Sequence, residues 1–258
     1  MTDSNLKVTL IQPDLHWEDI EANLRSFEEK IKSASESDLI VLPEMFTTGF
    51  TMNASGLAEE MNGRSMTWMR RMAQAKRAVV CGSMIIHENG RYYNRLIWMR
   101  SDGTFEHYDK RHLFSLAKEH KTYTPGQRKL IVKLGEWSIC PQICYDLRFP
   151  VWARNVEEYD VLINVANWPE SRRLAWTTLT RARAIENQCY VVAVSRVGRD
   201  GNEVKHFGGS VVVGPLGEVI WEQLEAEAVH TVTLSKQLLY ETRRKLPFLK
   251  DRDTFEIR

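Results

Sequence analysis

Cysteine is scarce: four thiols in 258 residues cannot build a disulfide framework, which suits a reducing, cytoplasmic setting. Long apolar runs are missing too. The longest, Val161–Ala166 and Tyr190–Ser195, fall far short of the ~18 residues a membrane span needs. The opening Met1-Thr2-Asp3-Ser4-Asn5-Leu6-Lys7 lacks the apolar stretch of a secretory signal. Charge of one sign is not in excess, since 35 Lys and Arg against 34 Asp and Glu leave +1. Nothing in the charge therefore points to nucleic acid or an anionic membrane as partner. There is no P-loop and no Gly-x-Gly-x-x-Gly, and the seven His show no tight ligand spacing. No cofactor and no metal are expected. No Pro/Gly/Ser-rich linker, low-complexity tract or repeat divides the chain, so residues 1–258 are read as one domain. A chain of this length buries roughly 70–75% of its unfolded surface without a staple.

What is present is a rhythm of strand, loop and helix. Lys7–Gln12 is a β-branched run. Glu18–Lys32 places Ile20, Leu24, Phe27 and Ile31 on one helix face. Leu39–Leu42 reads as a buried strand ended by Pro43. Ser65–Lys76 is expected to be helical. Ala78–Ile86 and Arg91–Arg100 read as strands around a turn at Asn89-Gly90, and Phe105–Tyr108 continues the sheet. Leu130–Lys133 and Trp137–Ile143 bracket Gly135. Val161–Ala166 is a buried strand, Leu174–Asn187 a helix and Tyr190–Val197 a strand. Ser210–Val213, Gly217–Trp221 and His230–Leu234 supply the last strands. Buried runs alternating with helices, beside runs joined by tight turns, indicate an α/β sandwich with sheet on sheet and helices outside.

Reactive side chains recur just past these strands. Glu44 follows Leu39–Leu42, Lys110 follows the strand at Phe105, and Cys144 ends Trp137–Ile143. Sites in such sheets collect beyond the carboxyl ends of strands, so three groups distant in sequence can meet in one crevice. A thiol near pKa 8.5 needs a base or a cation beside it to attack at neutral pH. A carboxylate can take its proton, and a lysine can hold charge that develops on a substrate oxygen. The sharp turn at Cys144 also offers the Tyr145 backbone N–H as an oxyanion donor. Taken singly, each residue is more often structural, because cysteine is commonly buried and Asp109-Lys110-Arg111 is an ordinary solvated run. Spacing alone leaves the trio one hypothesis among several.

Four ordered segments narrow it. Leu42-Pro43-Glu44, Asp109-Lys110-Arg111-His112-Leu113-Phe114, Ile143-Cys144-Tyr145-Asp146-Leu147-Arg148-Phe149-Pro150 and Arg181–Gln188 followed by Tyr190-Val191 resemble motifs of the nitrilase superfamily of carbon–nitrogen hydrolases. The resemblance runs from Val8 to about Leu234. It implies a four-layer αββα sandwich, a Glu44–Lys110–Cys144 triad with a thioester intermediate, and no metal. It also implies a second acid, which Glu119 of Glu119-x5-Pro125-Gly126 matches. Glu119 is expected either to orient Lys110 or the substrate, or to be structural. Asp146 and Arg148 are expected to pair and shape the turn at Cys144. Cys81 and Cys189 read as core.

Within the superfamily, the compact length and the Cys144–Pro150 segment look most like the omega-amidase branch. That implies hydrolysis of the terminal amide of a small dicarboxylate monoamide, 2-oxoglutaramate or 2-oxosuccinamate, with water as acyl acceptor. A nitrilase or an N-carbamoyl hydrolase with the same triad is the alternative, and a glutamine-fed ammonia donor or a non-enzymatic binding protein is set against it. Substrate choice is placed on Asn167-Trp168-Pro169-Glu170-Ser171-Arg172-Arg173. Arg172 and Arg173 precede a helix, where the macrodipole opposes cations by ~0.3–1 kcal/mol each. Either they simply reach solvent or an acidic neighbour, or one of them holds the substrate carboxylate, with Trp168 and Phe46 walling a short pocket. The resemblance further implies a homodimer, with 240–258 as an extension of little regular structure at the interface.

Overall fold

The computed structural model describes residues 5–257; Met1–Ser4 of the N-terminal segment and Arg258 of the C-terminal extension lie outside the described residues. In chain order the strands are β1 (Leu6–Gln12), β2 (Leu39–Val41), β3 (Val79–Glu88), β4 (Arg91–Met99), β5 (Phe105–Asp109), β6 (Val132–Leu134), β7 (Trp137–Ile143), β8 (Val161–Val165), β9 (Tyr190–Val194), β10 (Val197–Arg199), β11 (Lys205–Val213), β12 (Val219–Leu224) and β13 (Ala228–Leu234). The helices are α1 (Ile20–Ser33), α2 (Ala54–Leu57), α3 (Arg64–Lys76), α4 (Pro150–Ala153), α5 (Arg173–Asn187) and α6 (Lys236–Lys245).

One sheet runs β13-β1-β2-β3-β4-β5 and the other β10-β11-β9-β8-β7-β6, with β12 paired to β11. The inner strands β1-β2-β3 and β7-β8-β9 are parallel. The uninterrupted apolar runs of β2 and β9 follow from burial on both faces. Leu39 and Val41 point between the sheets while Ile40 points to the helices. Val161, Ile163 and Val165 likewise face the other sheet, and Leu162 faces outward. Each such Val, Leu or Ile contributes roughly 1.5–3 kcal/mol on full burial. α1 and α3 cover the first sheet through Leu24, Phe27, Met69 and Met72, and α5 covers the second through Trp176 and Ala184. The result is the four-layer αββα sandwich expected from the sequence.

Local chemistry sets most boundaries. Asp19 caps α1, accepting from the Ala22 N–H at 2.9 Å, so the helix starts after Glu18 rather than at it. The hairpin between β3 and β4 turns on Asn89 and Gly90, both at positive φ, the two-residue turn that matches strand twist. The expected strand Tyr190–Val197 is interrupted. It stops at Val194; beyond Ser195-Arg196 the chain pairs with β11 again as β10 and no longer with β8. The Arg196 guanidinium donates to Asp14 at 2.7 Å and to the carbonyls of Leu15 and Arg199. The apolar pattern hides this break because Ser195 and Arg196 are both fully buried. The extension is also more regular than expected, since Tyr240–Lys245 belongs to α6, which Ser235 caps through the Leu238 N–H.

Candidate active site

The carboxyl ends of β2, β5, β7 and β8 open onto one cavity of about 730 Å³. Past β2 the chain bends sharply, with Met45 at φ 42°. Ser83 of β3 holds this bend, its hydroxyl accepting from the Met45 N–H at 2.9 Å and its carbonyl from the Phe46 N–H at 3.0 Å. Glu44 is thereby turned into the molecule. Lys110 follows β5; its N–H donates to the Asn94 carbonyl at 3.0 Å, and its carbonyl accepts from the Gly126 N–H at 2.9 Å. Only glycine fits there, because a Cβ on Gly126 would stand 2.1 Å from the Asp109 carbonyl oxygen. Cys144 follows β7 at φ 43°, a left-handed conformation that costs a non-glycine residue roughly 1–3 kcal/mol and concentrates at functional sites.

Lys110 Nζ lies 2.7 Å from Glu44 Oε1 and 3.0 Å from each oxygen of Glu119. All three residues are almost completely buried. Burying ions costs several kcal/mol each unless they pair and hydrogen-bond well, and here every partner is another member of the group or an amide. The Asn94 side chain donates to Glu44 at 2.9 Å and to Glu119 at 3.3 Å. The Asn167 backbone N–H donates to Glu44 Oε2 at 3.0 Å, and the Phe114 N–H donates to Glu119 Oε2. Burial works to discharge Lys110, but the Glu119 and Glu44 carboxylates outweigh it and hold its pKa above the ordinary value. Burial raises the Glu119 carboxyl, against the pull of Lys110. Burial also pushes the Cys144 thiol well above its ordinary range, the Glu44 charge adds to the rise, and Lys110 opposes it. A protonated thiol beside a carboxylate and a fixed cation is the arrangement that general-base activation requires.

The structure thus brings together Glu44, Lys110, Cys144 and Glu119. Tyr145, Trp168 and Arg172 line the same cavity. Phe46 does not; it packs on the helix side of the first sheet, edge-on to Phe27 and beside Trp68, because the bend after Glu44 sends it away from the crevice. Phe50 stands at the cavity instead, its ring centre 5.2 Å from Lys110 Nζ. Arg173 also departs. As the first residue of α5 it turns outward, near Glu225 at 3.5 Å and over the Phe207 ring. Asp146 and Arg148 do not pair. Asp146 is fully buried among N–H and O–H donors, whereas the Arg148 guanidinium lies over the Trp168 ring at 5.1 Å and lines the cavity. Asn167 belongs to the segment on which the sequence places substrate choice, but its hold on Glu44 has no mark in the sequence, and Asn94 is not among the expected site residues. A lone Asn inside the strand Arg91–Met99 was the available signal, since strands disfavour it.

A family model described as carbon–nitrogen hydrolase matches residues 7–244. The chain is 44% identical over 256 residues to an omega-amidase, YafV, of Yersinia enterocolitica, covering 98% of each chain. It is 32% identical over 251 residues to a 2-oxoglutaramate amidase of Bacillus subtilis (strain 168), covering 95% of this chain and 96% of that one. Its fold superposes with a TM-score of 0.97 on XC1258 of Xanthomonas campestris, a CN-hydrolase superfamily protein crystallised with an arsenic adduct in its active site; the two are 42% identical, over 98% of this chain and 99% of that one.

Proposed function

The chain belongs to the carbon–nitrogen hydrolase family, and from that premise we propose that it is an omega-amidase acting on a small dicarboxylate monoamide, 2-oxoglutaramate or 2-oxosuccinamate. Membership makes it a hydrolase of carbon–nitrogen bonds in linear amides. The observation that carries the finer reading is a pair of cations. Arg148 and Arg172 line the cavity that holds Cys144, and among the described residues neither has a carboxylate partner. Burial lowers the Arg172 pKa, and the Arg148 charge adds to the fall. An anion between them removes that penalty, and a guanidinium fork matches a carboxylate with two hydrogen bonds. The names of the omega-amidase and 2-oxoglutaramate amidase relatives support the same substrate class.

In this reading Glu44 takes the Cys144 proton, and the thiolate attacks the amide carbon. The oxyanion of the tetrahedral intermediate is held by Lys110 and the Tyr145 backbone N–H. Glu44 returns the proton to the nitrogen as the C–N bond breaks. Ammonia leaves and a Cys144 thioester remains. Glu44 then takes a proton from water, which attacks the thioester carbonyl; the C–S bond breaks, the carboxylic acid departs and the thiol is restored. Glu119 holds Lys110 and fixes its direction. Trp168 walls the pocket, with Phe50 in the place expected for Phe46. The reading includes one hydrolase domain over residues 1–258, a homodimer, a cytoplasmic setting and no cofactor.

Steady-state kinetics on 2-oxoglutaramate, succinamate, glutamine, a nitrile and a carbamoyl amino acid test it. The two monoamides should show the highest kcat/KM. Preference for the nitrile or the carbamoyl compound would replace this reading by the corresponding member of the same superfamily.

A further inference from the structure

Asp146 stands three places after Ile143 and two after Cys144, and its carboxylate lies behind the turn rather than in the cavity. Oδ2 accepts from the Ile143 N–H at 3.1 Å, in the residue just before Cys144. Oδ1 accepts from the His112 N–H at 3.0 Å and lies 2.8 Å from His112 Nδ1; facing a carboxylate, that nitrogen carries the proton. Oδ2 also accepts from the Tyr108 hydroxyl at 2.7 Å. Tyr108 in turn accepts from the Arg111 N–H at 3.2 Å and from Trp152 Nε1 at 3.0 Å. Burial, and then the Asp146 charge, raise the Tyr108 hydroxyl well above its ordinary value and keep it a donor.

Every backbone donor in this network flanks a residue of the candidate triad. Arg111 and His112 directly follow Lys110, and Ile143 directly precedes Cys144. One fully buried carboxylate therefore spans the lysine segment and the nucleophile turn. The His112 ring is clamped further by stacking on Phe149 with centroids 3.6 Å apart, so the partner of Oδ1 cannot swing aside. An anion with four donors and no exposure replaces its hydration with fixed N–H and O–H groups, which makes the connection rigid. Cys144 at positive φ needs such an outside restraint, because strained backbone persists only where its surroundings over-determine it.

We propose that Asp146 is a positioning residue: it sets the placement of the Cys144 thiol relative to Lys110 and Glu44, acting through the backbone on either side of them. The proposal rests on the reading of Cys144 as nucleophile. Displacement by about 1 Å costs roughly a hundredfold in rate, so the connection is matched to the demand. Length, and not charge alone, is what positions the turn.

The test combines Asp146→Asn, which turns an N–H₂ toward two donors, with Asp146→Glu, which keeps the charge but changes the reach. Folding is checked by circular dichroism. Two rates are then measured on the folded protein: kcat for succinamate, and alkylation of Cys144 by iodoacetamide at neutral pH, followed by mass spectrometry. Positioning predicts that kcat falls by about a hundredfold, that alkylation falls by about tenfold, and that Asp146→Glu restores neither. Folded variants with lower thermal midpoints but both rates within about twofold of the parent would reduce Asp146 to a structural role, and rescue by Asp146→Glu would show that charge matters and placement does not. If Asp146→Asn does not fold, Tyr108→Phe removes one donor from the same carboxylate. It should lower both rates by about threefold or more, and parent-level rates there overturn the proposal. Turnover by Cys144→Ala would instead refute the nucleophile reading, and the alkylation ratio, which needs no substrate, would still decide Asp146.

Discussion

Asn167 grips Glu44 at both ends: its backbone N–H donates to Glu44 Oε2 at 3.0 Å and its side-chain amide donates to the Glu44 carbonyl at 2.6 Å. The residues lie 123 positions apart, on the loops after β8 and β2, one from each sheet. The Glu44 carboxylate is thus fixed by the opposite half of the sandwich. Asn167→Ala keeps the backbone bond and loses the side-chain bond, leaving a buried carbonyl without its donor, at a cost of about 1–3 kcal/mol. We expect kcat to fall by about tenfold or more with a lowered thermal midpoint, read by steady-state kinetics and a melting curve. Unchanged kcat would mean that Asn167 supports the fold alone.

Cys144 should carry the acyl group. Acid quench of the parent protein during turnover of succinamate should leave a succinyl mass on the peptide containing Cys144. Cys144→Ala should show no turnover above background. Full activity in that variant contradicts the thioester route.

The Cys144 thiol has a testable pH signature. Its pKa is raised by burial first and by the Glu44 charge second, and Lys110 lowers it. Removing the Glu44 charge in Glu44→Gln should therefore move the pH midpoint of iodoacetamide alkylation downward, although turnover is lost. Lys110→Met removes the opposing cation and should move it upward. Identical midpoints in all three proteins would show that neither charge acts on the thiol.

The two neighbouring arginines should separate cleanly. Arg172 lines the cavity, with its guanidinium over the Phe114 ring at 4.8 Å, while Arg173 faces Glu225 outside it. Losing a hydrogen bond to a charged group costs about 1.5–3 kcal/mol, so Arg172→Ala should raise KM for succinamate by about ten- to a hundredfold. An uncharged amide of similar size should be far less affected, and Arg173→Ala should leave both unchanged. Equal relative kcat/KM for the charged and uncharged amides in Arg172→Ala would leave Arg148 as the anchor.

The proposed homodimer is open to a mass measurement. Phe248, Phe255 and Ile257 of the C-terminal extension are 59%, 42% and 41% exposed in the single chain, apolar side chains that a dimer interface would cover. Light scattering at micromolar concentration should give about twice the chain mass of 30.0 kDa. A value near the chain mass would leave the extension to another role.

Period and punctuation determined the layers of this protein. Leu39–Val41 and Tyr190–Val194 are apolar at every position, and Val161–Val165 at every position but Asn164, because they are buried on two faces, and the Ile20, Leu24, Phe27 and Ile31 spacing allows one helix face. Reactive residues at strand ends, read with the four ordered motifs, were enough to single out Glu44, Lys110 and Cys144, and the family resemblance added Glu119. Orientation beyond the ends of elements was not legible. Phe46 and Phe50, or Arg172 and Arg173, are alike in type and close in sequence, so only the bend after Glu44 and the first turn of α5 decide which one meets the cavity. The break at Ser195-Arg196 was hidden for a related reason: a buried Arg satisfied by Asp14 and distant carbonyls leaves no local mark. Hydrogen bonds such as Asn167 to Glu44 and Asp146 to His112 join loops from different strands, and a pairing between such loops has no period in the chain. It exists only once the sandwich has closed.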